Sequence, residues 1–380
     1  MIFERDENNY FKKVITVHPL CYKTRSIKLN NSYDLFEIGF DLIPNKRKNR
    51  VLIYLQLPIH FFRIIITGIQ LVKKHKISLI RANDPYWMGF FAYIVSKICK
   101  IPFCVSIHSD YEKRMELDKN ITMCSVFGSY KLARLLERFI LSNAPMVMAL
   151  RKTIGEKAVA CGADPKKIRL IPHGIDLSCF SSPPKHDIHK RFGIDPKLKI
   201  ISFIGRFSKE NYIDDIIEIT KNLGEKREDF ILVMTGGGKE EARIKEKAAT
   251  DPILQNQILF TGFQPREICF DLRRASYTSL CLMAGFSLIE ACAAGRPVVS
   301  YDVEWHSELV KNKETGFLVI ENDVNGVVTS LDWLLDRPAE SHKMGTNAKT
   351  LAFEQHDLKN SSTIRAKWYS ELLNKKNDGN

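Results

Sequence analysis

The chain has 380 residues, of which 44% are hydrophobic and 27% charged, with 20 Gly and 15 Pro. That composition excludes collagen-like, disordered and disulfide-scaffold chains and sets two domains as the expectation. Nine cysteines occur without one C-x-x-C pair, and the net charge of +13 is lopsided, with +15 in residues 1–190 and −2 in residues 191–380; reduced thiols are expected, and neither a zinc ribbon nor a disulfide framework is indicated.

The opening stretch MIFERDENNYFKK is charged rather than apolar, so no secretory signal is read there. Lys13 to His18 predicts a first strand. Next, the basic clusters Lys46-Arg47-Lys48-Asn49-Arg50 and Lys73-Lys74-His75-Lys76 bracket the apolar run Val51 to Val72, which is interrupted by Gln56, Pro58, His60 and Arg63. A central Arg costs a spanning helix about 2.5–3.5 kcal/mol, so this is not a transmembrane segment. Two readings stand: a helix packed on a sheet with solvated ends, or a surface that adsorbs to an anionic leaflet at about 1 kcal/mol per basic residue. Nucleic acid is not an expected partner, because no zinc finger, RNP-like motif or basic-aromatic alternation accompanies the charge.

Short apolar runs then alternate with helical patterns, which predicts βα units and parallel sheets, an α/β fold. Expected strands are Ile77 to Arg81, Phe103 to His108, Met146 to Leu150 and Ile168 to Ile171, with a helix over Tyr130 to Ser142. The second half adds Lys199 to Ile204, Phe230 to Thr235, Ile258 to Thr261, Thr278 to Leu282, Val298 to Tyr301 and Gly316 to Val319. Ser181-Ser182-Pro183-Pro184 reads as the linker, since consecutive prolines cannot continue a helix or central strand. The expected domains are 1–182 and 183–374, with 375–380 a frayed tail.

Chemistry concentrates at the predicted strand ends. Gly205-Arg206-Phe207-Ser208-Lys209 follows a strand, and its two cations suit a diphosphate. Gly236-Gly237-Gly238 lies at another strand-to-helix turn, where amides can approach a phosphate or sugar. It is not a dinucleotide fingerprint, because position 241 is Glu. Gly285-Phe286-Ser287-Leu288-Ile289-Glu290 begins a helix whose first amides, at 287 to 289, face an anion; the same Ser287-x-x-Glu290 is also a capping-box pattern. Asp84 and His108-Ser109-Asp110 follow strands of the first half, and Asp84 and Asp110 are acceptor-side candidates. Asp302-Val303-Glu304 lacks a second acidic cluster and reads as a loop, so no metal site is expected.

Together these segments resemble glycosyltransferase family 4, the group 1 glycosyl transferases of the GT-B fold. The resemblance rests on Ile171-Pro172-His173-Gly174-Ile175-Asp176, Phe203-Ile204-Gly205-Arg206, Thr261-Gly262-Phe263, Gly285 to Glu290, Gly295-Arg296-Pro297-Val298-Val299 and Glu314 to Val319. It implies two Rossmann-like domains with parallel sheets facing an interdomain cleft, and a retaining, metal-independent transferase. A nucleotide diphosphate sugar would be the co-substrate, with no cofactor, and a hydroxyl acceptor, lipid-linked in one version, would receive the sugar in glycan, glycolipid or cell-surface polysaccharide synthesis. Carried over, Arg206 and Lys209 would meet the diphosphate and His108 the donor sugar. Gly205, Gly237, Phe263, Gly285, Phe286, Ser287 and Leu288 would line the donor, and Glu290 would accept from the ribose. The implied location is the cytoplasm, peripheral at the inner membrane face.

Three departures from the family pattern stand out. Asn211-Tyr212 occupies the place of the phosphate-binding Lys-Gly, Leu282 that of the first Glu of E-x7-E, and the first glycine is Gly39. They motivate the competing expectation of a catalytically weakened GT-B protein that binds a ligand or partner subunit.

Overall fold

The computed structural model describes residues 10–21, 23–39, 50–108 and 129–374. It divides into two compact units, Met1–Pro172 with Ser361–Asn380, and His173–Asn360.

The first unit contains two sheets. β1 (Val14–Cys21), β2 (Arg25–Lys28) and β3 (Tyr33–Gly39) form one in the order β1-β3-β2, parallel between β1 and β3 and antiparallel between β2 and β3. β4 (Ile80–Ala82), β5 (Phe103–Ile107), β6 (Val147–Ala149) and β7 (Ile168–Leu170) form a parallel four-stranded sheet in sequence order. β5 and β6 are buried along their whole length, as expected of parallel strands covered on both faces. Helices Trp87–Cys99 and Tyr130–Asn143 contribute to this core through Ala92, Ile140 and Leu141. β2 and β3 were not expected from the sequence, although Tyr33 and Leu35 alternate with polar or less buried neighbours in β3 and are buried, with Ile38 buried out of phase. β4 begins three residues later than predicted because the Ile77 amide is used to cap helix Arg50–His75, donating to the Val72 carbonyl at 3.0 Å.

The second unit holds one six-stranded sheet: β8 (Lys199–Arg206), β9 (Phe230–Gly237), β10 (Ile258–Gly262), β11 (Thr278–Leu280), β12 (Val298–Tyr301) and β13 (Gly316–Val319). Its order is β10-β9-β8-β11-β12-β13, and every neighbouring pair is parallel. This is the doubly wound arrangement in which strand order reverses between the first and fourth strands, here β8 and β11, and it opens a crevice at their carboxyl ends. Ile201, Phe203, Leu232, Met234, Leu280 and Val299 form the centre of its core together with helices Ile213–Gly224 and Val324–Asp336.

The expected boundary at 182/183 differs from the observed division. Leu177 and Phe180 are fully buried in the second unit, and Arg274 donates to the Cys179 and Ser182 carbonyls. Just past the prolines, the amides of Lys185 and His186 both donate to buried Asp271. These bonds pin the segment to helix Arg266–Ala275, so it does not act as a free linker. At the other end, helix Leu358–Asn374 returns Tyr369 and Leu372 to the first unit's core; Arg81 donates to the Tyr369 hydroxyl at 2.8 Å, and Arg169 pairs with Glu371. The basic cluster at 46–49, Ser109, Asp110 and the 375–380 tail lie outside the described residues.

Candidate active site

A cavity of about 220 Å3 lies at the switch point, lined by Phe203, Ile204, Gly205 and Arg206 from β8, Leu280 from β11, and the following Cys281, Met283, Ala284, Gly285, Phe286 and Ser287, with Asn211 closing one side. Strand topology puts it there: β8 and β11 are hydrogen-bonded neighbours whose outgoing connections turn to opposite sides.

Arg206 and Lys209 are both exposed, and neither makes a side-chain hydrogen bond or ion pair among the described residues. The Glu210 carboxyl is held below its ordinary range, first by the Ser208 hydroxyl and less by the charges of Arg206 and Lys239. Asn211, standing where the family pattern has Lys, donates its amide to the Arg206 carbonyl at 2.8 Å. It shapes the loop and supplies no charge. Tyr212 keeps the left-handed backbone (φ 53°) that a glycine would adopt freely, a conformation costing about 1–2 kcal/mol for an L-residue. The cost is offset by its hydroxyl bond to Glu321 and its ring edge on Tyr301, with centroids 5.1 Å apart. Tyr301 in turn donates to Asp215 at 2.7 Å.

Gly285 immediately precedes helix Phe286–Ala293, whose first-turn amides lack intrahelical acceptors. A Cβ at Gly285 would meet no atom within 4 Å, so protein packing does not demand glycine there. Phe286 is half exposed, and its ring meets that of His173 edge-on at 4.9 Å. Leu288, expected to offer its amide to a ligand, donates it to the Gly285 carbonyl at 3.1 Å, and its side chain is fully buried. The capping-box alternative also fails: the Ser287 hydroxyl donates to the Ile204 carbonyl at 2.9 Å and accepts from Arg273 at 2.6 Å. Ser287 therefore ties the helix start to β8. Glu290 does not fold back on it; its oxygens lie 3.3 Å from Arg266 and 3.9 Å from Arg273.

The triple glycine at the end of β9 packs tightly. A Cβ at Gly236 (φ 129°) would stand 2.0 Å from the Gly205 carbonyl oxygen, and one at Gly237 would stand 2.8 Å from the Phe263 ring. Phe263 lies over Gly237 while 82% exposed.

In the first unit, Asp84 and His108 follow β4 and β5 at the carboxyl edge of the four-stranded sheet. Asp84 is buried, and its Oδ1 accepts the amides of Tyr86 (2.8 Å) and Met88 (3.3 Å), fixing the start of helix Trp87–Cys99. Burial pushes its carboxyl above the ordinary range against the pull of those amides.

Two contributors to the site carried no sequence signal. Arg273 is fully buried behind Ser287 and Glu290. His306, also fully buried, bonds Ser300 Oγ through Nδ1 (2.6 Å) and the Ala284 carbonyl through Nε2 (3.0 Å), which holds the loop leading to Gly285. Remote from this cavity in sequence, His18, Cys21 and Glu37 place potential ligand atoms within 4.8 Å of one another. Strand pairing, and not a spacing motif, assembles these residues.

Comparison with known proteins agrees with this geometry. The family model for glycosyl transferases group 1 matches residues 184–351, and the model for Glycosyltransferase Family 4 matches residues 31–178. Alpha-D-kanosaminyltransferase of Streptomyces kanamyceticus is 23% identical over 294 residues, covering 75% of this chain and 74% of that protein. Alpha-monoglucosyldiacylglycerol synthase of Streptococcus pneumoniae is 22% identical over 272 residues, covering 69% of this chain and 60% of the synthase. The crystal structure of Anabaena HepE in complex with UDP superposes with a TM-score of 0.69 at 17% identity, covering 90% of this chain and 87% of that one. With one family model on each half and the GT-B fold shared with its structural neighbour, the chain belongs to the family 4, group 1 glycosyltransferases.

Proposed function

We propose that the chain transfers a sugar from a nucleotide diphosphate donor to a hydroxyl acceptor, with retention of anomeric configuration and without a metal. The observation that carries this reading is the switch-point cavity bounded by exposed Arg206 and the start of helix Phe286–Ala293. As the bond between the sugar's anomeric carbon and the β-phosphate oxygen breaks, negative charge grows on the diphosphate. Arg206, Lys209 and the amides of Phe286 and Ser287 offer preorganised donors for it. The acceptor oxygen bonds to the anomeric carbon on the face the phosphate leaves, and its proton passes to the departing phosphate oxygen. Gly205 and Gly285 keep the approach open, Phe263 offers an exposed ring near Gly237 for the base, and Glu290 is the ribose acceptor. The structural neighbour crystallised with UDP supports a nucleotide donor, and a match in both halves favours an enzyme over a binding-only subunit.

Glycan or glycolipid synthesis at the cytoplasmic face of an anionic membrane completes the reading. No helix among the described residues is long and apolar enough to cross a membrane. Helix Arg50–His75 nevertheless exposes Ile59 (61%), Phe62 (68%) and Ile66 (51%) in one stripe, continued by Lys73 and Lys74, while His60 and Ile64 are buried on its other side. An apolar stripe with a basic end suits a leaflet with acidic headgroups, and one relative is named for a glycolipid product.

The test is calorimetry with UDP, GDP and ADP, followed by turnover of the sugar donor that binds and NMR of the product anomer. Arg206→Ala is expected to weaken nucleotide binding at least tenfold, or about 1.5 kcal/mol and upward. Equal affinity of wild type and variant, an inverted product, or turnover abolished by chelator would each overturn the corresponding part.

A further inference from the structure

Side chains three apart on a regular strand point to opposite faces. His18 and Cys21 on β1 share one face because the register with β3 slips between them: His18 pairs with Glu37, whereas Cys21 pairs with Gly39, three residues on one strand against two on the other. Such an inserted residue re-aims side chains and is characteristic of functional positions. The bulge is held from outside the sheet. Buried His60 donates through Nε2 to the Pro19 carbonyl at 2.7 Å, and one turn later Arg63 donates to Thr24 Oγ1 at 2.8 Å and to the Gly39 carbonyl at 3.3 Å.

The consequence is one imidazole nitrogen, one thiol sulfur and one carboxylate oxygen within 4.8 Å of each other. Nitrogen, sulfur and oxygen donors together suit a borderline divalent transition metal better than calcium or magnesium. Metal–ligand bonds of about 2.0–2.3 Å put tetrahedral ligands roughly 3.3–3.8 Å apart, so closure requires about 1 Å of side-chain movement. We propose that His18, Cys21 and Glu37 form a binding site for a zinc-like divalent cation that staples β1 to β3 across the bulge and leaves a fourth position for water. Arg25 on β2 is the built-in competitor, because its guanidinium pairs with both Glu37 oxygens. Metal and Arg25 contend for one carboxylate. The site is made wholly of first-unit residues and is independent of the donor cavity of the second unit.

The experiment is titration of the full chain with Co2+ under reducing conditions, read by absorption and followed by displacement with Zn2+. A thiolate-to-cobalt charge-transfer band saturating at one equivalent and bleached by Zn2+ is expected. Cys21→Ser abolishes it, whereas Cys99→Ser, at another half-buried free thiol, leaves it intact. Glu37→Gln weakens Co2+ binding at least tenfold, and Arg25→Gln strengthens it. Far-UV circular dichroism establishes that Cys21→Ser is folded; if it is not, His18→Gln replaces it, with at least a tenfold loss of affinity expected. Absence of the band in wild type, its survival in Cys21→Ser, or unchanged affinity in His18→Gln overturns the proposal.

Discussion

Replacing Glu290 with Gln probes the point where folding and the proposed donor binding meet. The change preserves shape and one acceptor oxygen but removes the charge facing Arg266 at 3.3 Å and Arg273 at 3.9 Å. The Arg266 side chain is 64% exposed, so that pair contributes at most about 1 kcal/mol. Arg273 is different: it is 1% exposed, Nη2 bonds Ser287, and among the described residues neither Nε nor Nη1 reaches an oxygen acceptor, the Cys281 thiol being its other polar neighbour. Two charges at that separation in an effective dielectric near 20 attract by about 4 kcal/mol. The partial exposure of Glu290 and the retained amide dipole reduce the expected loss to about 2–3 kcal/mol, or roughly 4–12 °C in Tm for a unit of this size. Melting Glu290→Gln, Arg273→Met and the double variant isolates the pairwise term. A coupling of about 2 kcal/mol is expected, together with weaker nucleotide binding in Glu290→Gln measured well below its Tm. A Tm within a degree of wild type, or zero coupling, refutes the argument that Glu290 neutralises a buried arginine; normal nucleotide affinity removes it from the donor site.

Gly236→Ala drives a Cβ to within 2.0 Å of the Gly205 carbonyl at a positive φ, so a loss of several kcal/mol is expected in urea unfolding; Gly285→Ala, with open space around it, is expected to melt like wild type yet bind the nucleotide more weakly, and equal binding would remove Gly285 from the site. The Asp229 carboxyl is held far below its ordinary range, chiefly by Arg227 and further by Lys199. A depressed carboxylate stabilises the fold above its unfolded pKa of about 3.9, and that contribution is lost as pH falls further. The urea midpoint of Asp229→Asn is therefore expected to fall less steeply than that of wild type below about pH 4, and parallel curves would contradict this. Phe62→Glu is expected to reduce flotation with anionic vesicles at low salt while leaving nucleotide affinity unchanged; equal flotation of both proteins would remove the exposed stripe from the membrane reading.

Local pattern was sufficient for the second unit. All six of its strands lie where apolar runs of strand length predict them, because strands of a parallel sheet flanked by helices read as near-continuous apolar runs. Arg206 and Gly285 were legible for the same reason: each follows such a run, and strand ends are where doubly wound sheets leave room for ligands. Interactions between distant segments were not legible. The partner of Ser287 is Arg273, not the Glu290 that local spacing suggested, because helix Arg266–Ala275 turns a guanidinium into the buried space behind it. The Pro-Pro segment carries every local mark of a linker, yet its neighbours are bound to Arg274 and Asp271. His18, Cys21 and Glu37 have no motif spacing at all. A one-residue slip in strand register turns Cys21 toward the other two, and register is a property of the paired strands, which neither strand specifies alone.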